Sequence, residues 1–372
     1  MKIGIITFHC ANNYGAVLQT AALYQKLSEL FGSEEIFIVN YRPESILKYY
    51  RLINFTDCKN MIFVIRRIVS SIIRLPFSII RNYKFYSFRK RYFRYINVQN
   101  INNLDFLVCG SDQIWNPLIT DGLDPYYFGQ INGFNGKIIS YAASDGGKIE
   151  FDAINIKSLL RNILYISVRE KTMIPILEKY HNDDIKVMVD PVFLPSILYW
   201  KGIASKQKYR NYILIYRLHS NDTLYKDAEE IAMKENKKII EICYAYPYKK
   251  LFMKNYTPLT YVGLNEFVSL FLYADYILTN SFHGMAFSII MNKEFYVYAY
   301  RDNSNNRIID LLVDLNLRDR YVEKCGRILY KKINYDLINS NCERKRKEAV
   351  IFLNIMRKEY LITPPPPPKD LM

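Results

Sequence analysis

The chain predicts an α/β protein of two domains with largely parallel sheets. Three observations lead there. Its 372 residues are enough for two separate cores, and half of them are hydrophobic. Short strand-like apolar runs alternate with segments of helical apolar spacing. A new strand, Tyr212-Ile213-Leu214-Ile215-Tyr216, opens after a connector marked by Asp190-Pro191 and Pro195. The expected division is 1–194 for a first domain, 195–345 for a second, and 346–372 for a C-terminal helix and Pro-rich tail. No internal repeat is visible.

Lys2 to Phe8 reads as a short buried strand. Asn12-Asn13-Tyr14-Gly15 is turn chemistry. Ala16 to Leu30 has helical spacing at Val17, Ala21, Leu23, Leu27 and Leu30. The unit lacks the spacing of a dinucleotide fingerprint or a P-loop. It still sets amides and small polar side chains at a helix start. Phe106-Leu107-Val108-Cys109 is a buried strand running into Gly110-Ser111-Asp112-Gln113-Ile114-Trp115-Asn116-Pro117. Ile138 to Ala142 is another, running into Ala143-Ser144-Asp145-Gly146. Taken singly, each Asp fits a helix cap. Three such strand ends together suggest a shared crevice. Gln113, Trp115 and Asn116 give Asp112 an aromatic face and several donors and acceptors, a chemistry that suits a sugar.

The second domain carries Thr279-Asn280-Ser281-Phe282-His283-Gly284-Met285 between the strand Tyr276-Ile277-Leu278 and the strand Phe295 to Tyr298. A chain leaving a strand and entering a helix here puts its polar side chains at the carboxyl edge of a sheet, where open α/β sheets bind ligands. The helix start favours an anion. The chain has four histidines, and His283 is the one best placed to move a proton beside that anion. The competing reading is a helix cap or a filler of a polar gap.

The formal charge is +15. Between Asp57 and Asp105 there is no acidic residue, while Lys59, Arg66, Arg67, Arg74, Arg81, Lys84, Arg89, Lys90, Arg91 and Arg94 all fall there. Ile62, Ile65, Val69, Ile72 and Ile73 form a helical stripe, but three arginines and Pro76 argue against a spanning helix. Segment 60–95 therefore reads either as a basic amphipathic helix in peripheral contact with an anionic membrane, or as a surface helix of the first domain. Its interleaved aromatics also suit single-stranded nucleic acid, but no recognition motif supports that, and no nucleic-acid partner is expected. The six cysteines are scattered without a C-x-x-C pair, which speaks against zinc and for a reducing compartment. Lys2 leads straight into a strand, so a cytoplasmic protein without a signal peptide is expected. Arg344-Lys345-Arg346-Lys347 reads as a solvated helix face, and Pro364 to Pro368 as an extended polyproline stretch.

Five motifs occur in order: Asn13-Tyr14-Gly15-Ala16-Val17-Leu18-Gln19, Gly110 to Asn116, Ser167-Val168-Arg169-Glu170, Asp190-Pro191-Val192-Phe193-Leu194 and Asn280-Ser281-Phe282-His283-Gly284. Together they resemble the polysaccharide pyruvyltransferase family, over about residues 1 to 320. The resemblance implies two Rossmann-like domains in a GT-B-like arrangement. It also implies transfer of pyruvyl from phosphoenolpyruvate to hydroxyls of a sugar, in a polysaccharide or its lipid-linked precursor.

Phosphoenolpyruvate carries a carboxylate and a phosphate, so its site needs arginines, helix-start amides, or both. By resemblance His283 is the general acid, a role that suits imidazole. The family frequently has Arg two residues before this His; here the position is Ser281. Arg169, Arg217, Ser281 and Gly284 are the expected donor contacts, with an ion pair to Glu170 or Asp190 as the structural alternative for Arg169. Asp112 is the candidate base, with a cap as its alternative. Asn13, Tyr14, Gly15, Gln113 and Trp115 are candidate acceptor contacts. His9 is expected to line the crevice, His219 to cap or rim it, and His181 and Arg307 to be structural. No metal and no cofactor beyond the donor substrate are expected. The rivals are a nucleotide-sugar GT-B transferase with Glu266 on a ribose, and a non-catalytic scaffold of polysaccharide assembly.

Overall fold

The computed structural model describes residues 1–51, 61–147, 153–181, 184–244, 255–299, 306–323 and 331–362; of 61–73 and 153–155 it describes the backbone alone. The Pro364 to Pro368 stretch and the side chains of Ile62, Ile65, Val69, Ile72 and Ile73 lie outside the described residues.

The strands are β1 (Ile3–Ile6), β2 (Ile36–Val39), β3 (Tyr95–Ile96), β4 (Phe106–Cys109), β5 (Lys137–Ser140), β6 (Ile163–Tyr165), β7 (Ser167–Val168), β8 (Lys186–Val187), β9 (Tyr212–Tyr216), β10 (Lys238–Ile242), β11 (Tyr256–Leu259), β12 (Tyr276–Thr279), β13 (Glu294–Tyr298) and β14 (Tyr321–Val322). One six-stranded sheet runs β3-β2-β1-β4-β5-β6 and the other β11-β10-β9-β12-β13-β14, with β7 and β8 pairing separately. Every neighbouring pair is parallel. Each large sheet thus reverses its strand order once, between β1 and β4 and between β9 and β12. Such a reversal leaves a crevice at the carboxyl edge, because successive crossovers depart in opposite directions there.

The central strands are buried on both faces, as parallel strands covered by helices must be. Ile3, Ile5 and Ile6 of β1 and all of Tyr212 to Tyr216 in β9 are covered. The helix Tyr14–Phe31 starts where Asn13 Oδ1 accepts from Ala16 N at 3.2 Å and stops at Gly32. The helix Asp222–Glu235 is capped in the same way by Asn221 and ends at the left-handed Asn236.

The chain divides into two compact units. One holds 1–46, 92–195 and 339–372; the other holds 47–91 and 196–338. This corrects two sequence-based boundaries. Nearly all of segment 60–95 belongs with the second unit, through the helix Met61–Tyr92. Lys84 Nζ meets both carboxylate oxygens of Glu266, at 2.6 and 2.7 Å, and Tyr261 O at 3.1 Å. Phe77 stacks on Tyr261, and Phe85 and Phe88 are buried. The C-terminal helices belong with the first unit. There Glu359 bonds Lys137 and Tyr165, Arg346 Nε donates to Phe193 O, and Leu353 and Met356 are buried.

Candidate active site

The strand-order reversal of the second unit is built around Thr279, the last residue of β12. Its hydroxyl donates to Tyr216 O of β9 at 2.6 Å and accepts from Ser281 N at 3.0 Å. Asn280 then joins the two loops that leave these strands. Its Oδ1 accepts from Leu218 N at 2.8 Å and its Nδ2 donates to His219 O at 2.9 Å. Ser281 caps the helix Phe282–Ile290, its hydroxyl accepting from Gly284 N at 3.4 Å.

Gly284 has a packing reason that the motif did not disclose. A Cβ there would fall on Thr279 Oγ1 and come within 3.0 Å of the Tyr216 ring. Its absence lets the helix start come down onto the strand ends. With its amide turned to Ser281, Gly284 shapes the site rather than contacting a donor. His283 is the second residue of this helix, 9% exposed, with its ring edge-on to Phe282 at 5.4 Å. Imidazole and helix start therefore come from the same turn, where the helix dipole favours negative charge.

Arg217 does not offer the unpaired charge expected of it. Its Nε contacts Glu241 Oε1 at 2.8 Å and Tyr225 OH at 2.6 Å. Glu241 is a buried residue of β10 that also accepts from Tyr225 and Tyr256. Burial acts against the Arg217 charge, but Glu241 and Tyr225 outweigh it and raise its pKa. Burial and then Glu241 likewise raise Tyr225 above the ordinary phenol range. Arg307 does hold a cation nearby. Its guanidinium lies over the Phe282 ring, 5.5 Å from the centroid. Sequence reasoning set it aside as structural, and its place at the opening of the helix Asn306–Asp314 after β13 was the available signal. Glu266, the expected ribose ligand of the nucleotide-sugar rival, accepts from Lys84 and from Gly263 N. His219 is exposed at the rim.

The reversal of the first unit is a row of loops bonded side to side. Thr7 Oγ1 donates to Ser111 O at 2.7 Å and receives Gln19 Nε2 at 2.9 Å. Ser144 N donates to Asp112 O at 3.0 Å, Trp115 N to Ser144 O at 3.1 Å, and Arg169 N to Ala143 O at 3.0 Å. The ends of β1, β4 and β5 do share one edge. Gly110, with φ +132°, passes so close to Tyr141 that a Cβ would strike the Tyr141 carbonyl. Asp112 has φ +78°, a left-handed backbone that Asp tolerates. Its carboxylate accepts from Gln113 N at 2.9 Å, which is a local cap.

Four of the expected acceptor contacts are framework instead. Trp115 is fully buried, stacked on Phe128 at 4.9 Å, with its indole N–H given to Tyr127 O. Tyr14 is 1% exposed and Gly15 is buried in the first helical turn. Asn13 is the cap of that helix. Gln113 remains partly open, its Oε1 accepting from Asn116 Nδ2 at 2.8 Å. Arg169 is also framework. Its Nη2 lies 2.7 Å from Asp190 Oδ2 and donates to Ser111 Oγ at 2.6 Å, and both side chains are covered. Of its two proposed ion pairs, the structure holds the one with Asp190. His9 is buried against Thr7 O, and His181 bonds Ile163 O.

A sequence profile described as polysaccharide pyruvyl transferase matches residues 13–303, most of the chain. No curated protein matches. Among solved structures, a UDP-N-acetylglucosamine 2-epimerase is 9% identical with a TM-score of 0.52, covering 99% of each chain. A putative UDP-N-acetylglucosamine 2-epimerase from Listeria monocytogenes is 10% identical with a TM-score of 0.51, covering 97% of each. At such identities the likeness shows the fold alone, which is the α/β GT-B fold.

Proposed function

Since the chain belongs to the polysaccharide pyruvyl transferase family, we propose that it moves pyruvyl from phosphoenolpyruvate onto hydroxyls of a sugar. The sugar is part of a polysaccharide or its lipid-linked precursor, and the products are a pyruvate ketal and phosphate. The observation that carries this reading is His283 in the first turn of a helix at the β9/β12 reversal. That turn sets a proton donor beside an electropositive helix start.

In this reading His283 gives a proton to the methylene carbon of the donor. Positive charge develops at C2, where an acceptor hydroxyl adds, and phosphate departs. A second hydroxyl closes the ketal; of the two hydroxyl protons one restores His283 and the other leaves with phosphate. Ser281 donates one hydrogen bond to the anion, and Arg307 supplies the cation that the family's Arg would have given at position 281. For the acceptor, Asp112 is the proposed base and Gln113 the proposed hydroxyl contact, both carried by the first unit. The chemistry calls for no metal or separate cofactor. The donor is a cytoplasmic metabolite, so the reaction belongs on that side of the membrane.

Arg307 bears on the scaffold reading, whose main support was the missing Arg. The test is a calorimetric titration with phosphoenolpyruvate beside UDP, GDP and CMP. Binding of phosphoenolpyruvate alone, weakened about tenfold or more in Arg307→Ala, is the expected result. Binding of a nucleotide alone moves the protein to the glycosyltransferases, and binding of none supports a scaffold.

A further inference from the structure

The helix Met61–Tyr92 has an outward face that the second unit does not use. Phe77, Arg81, Lys84, Phe85 and Phe88 point inward, and Arg81 Nη1 reaches Tyr244 O at 3.4 Å while Lys84 holds Glu266. These contacts fix which face is turned out. Along that face Ile79 is 51% exposed, Ile80 45%, Tyr83 68% and Tyr86 56%. Steps of three and four residues put them on one stripe. Exposed Lys90 continues the stripe at its C-terminal end, with exposed Arg91 on its flank.

We propose that this stripe docks the protein on an anionic membrane surface, with the helix lying in the plane of the headgroups. Apolar and aromatic side chains along the stripe and basic ones at its end match such an interface, where burial and attraction to anionic lipid add. Tyrosines settle at headgroup depth, with the ring in the apolar layer and the hydroxyl in water. No acidic residue between Asp57 and Asp105 opposes the contact. A second copy of the chain fits worse, because between Asp57 and Asp105 it brings no acidic residue to meet the basic ones. Single-stranded nucleic acid fits worse too, because half of the stripe is isoleucine, which gives no ring on which a base can stack. The inference does not depend on the donor: it concerns where the protein works rather than what it transfers. Among the described residues no helix is long and apolar enough to cross a membrane, so the contact is with the surface.

The test is sedimentation of the full chain with vesicles of phosphatidylcholine, with and without about 30% phosphatidylglycerol. The wild type is expected to pellet with the anionic vesicles and to be released at about 0.5 M salt, where the screening length falls to a few ångström. Ile80→Ser with Tyr83→Ser is expected to lower the partition coefficient about tenfold. Lys90→Gln with Arg91→Gln is expected to lower it several-fold and to remove most of the salt dependence. Ile351→Ser, 70% exposed on another helix, is the control and leaves binding unchanged. An unshifted thermal transition in each variant shows an intact fold. The proposal is overturned if the wild type stays in the supernatant or the stripe variants pellet like wild type. It is also overturned if the variants instead abolish a dimer or the binding of an oligonucleotide while vesicle binding is unchanged.

Discussion

The two strand-order reversals have the same topology and are built differently. In the first unit the motif residues are bonded to one another. Arg169 pairs with Asp190 and Ser111, Trp115 stacks on Phe128, and Asn13 caps a helix. Asp112 caps its own loop, and Gln113 stays partly exposed beside Asn116. In the second unit the motif is a bracket for one helix turn: Thr279, Asn280, Ser281 and Gly284 position the start of the helix that bears His283. A motif can therefore persist for two reasons, to hold a site rigid or to act in it. The distinguishing observation is where each polar atom finds its partner.

The largest expected effect is on chemistry. His283→Gln keeps the fold and lowers kcat about 10²–10⁴-fold, the range for loss of a general acid. Wild-type turnover in that variant removes the assignment. Next comes the framework of the first unit. Arg169→Met leaves the buried Asp190 carboxylate without its cation and costs about 3–5 kcal/mol in denaturant unfolding, and Asp190→Leu added to it recovers part of the loss. If Arg169 acted mainly on the donor, the single variant would instead weaken donor binding with unfolding unchanged. Trp115→Ala costs about 3–5 kcal/mol by cavity formation; a sugar platform would lose acceptor affinity at constant stability. Gly284→Ala pushes the helix off Thr279, at about 1–3 kcal/mol, with a parallel loss of kcat. The smallest effect is Gln113→Ala, within about 0.5 kcal/mol on stability, read as a raised acceptor KM.

The parallel α/β architecture was legible because buried strands and helical spacing alternate along the whole chain. The placement of His283 was legible too, since a strand, Ser-Phe-His-Gly and a helix leave it few places to go. Trp115 was misread because an indole beside Asp and Gln looks the same whether it faces a sugar or Phe128. Arg217 was misread because its partner Glu241 is one polar residue in an apolar strand, 24 positions away. Segment 47–91 was assigned to the wrong unit for a related reason. The pair that places it, Lys84 with Glu266, spans 182 residues, and local sequence carries no mark of so distant a partner. Arg307 was passed over because it is a cation on an ordinary helix until the ring of Phe282 comes under it.

The most direct test of the account follows the proton. The reaction is run in D2O with phosphoenolpyruvate and a saccharide acceptor, and the methyl group of the pyruvyl product is examined by mass. The account predicts one deuterium at that methyl for the wild type. It predicts phosphoenolpyruvate binding within about twofold of wild type in His283→Gln, with no deuterated product. Deuterated product formed at the wild-type rate by His283→Gln would contradict it.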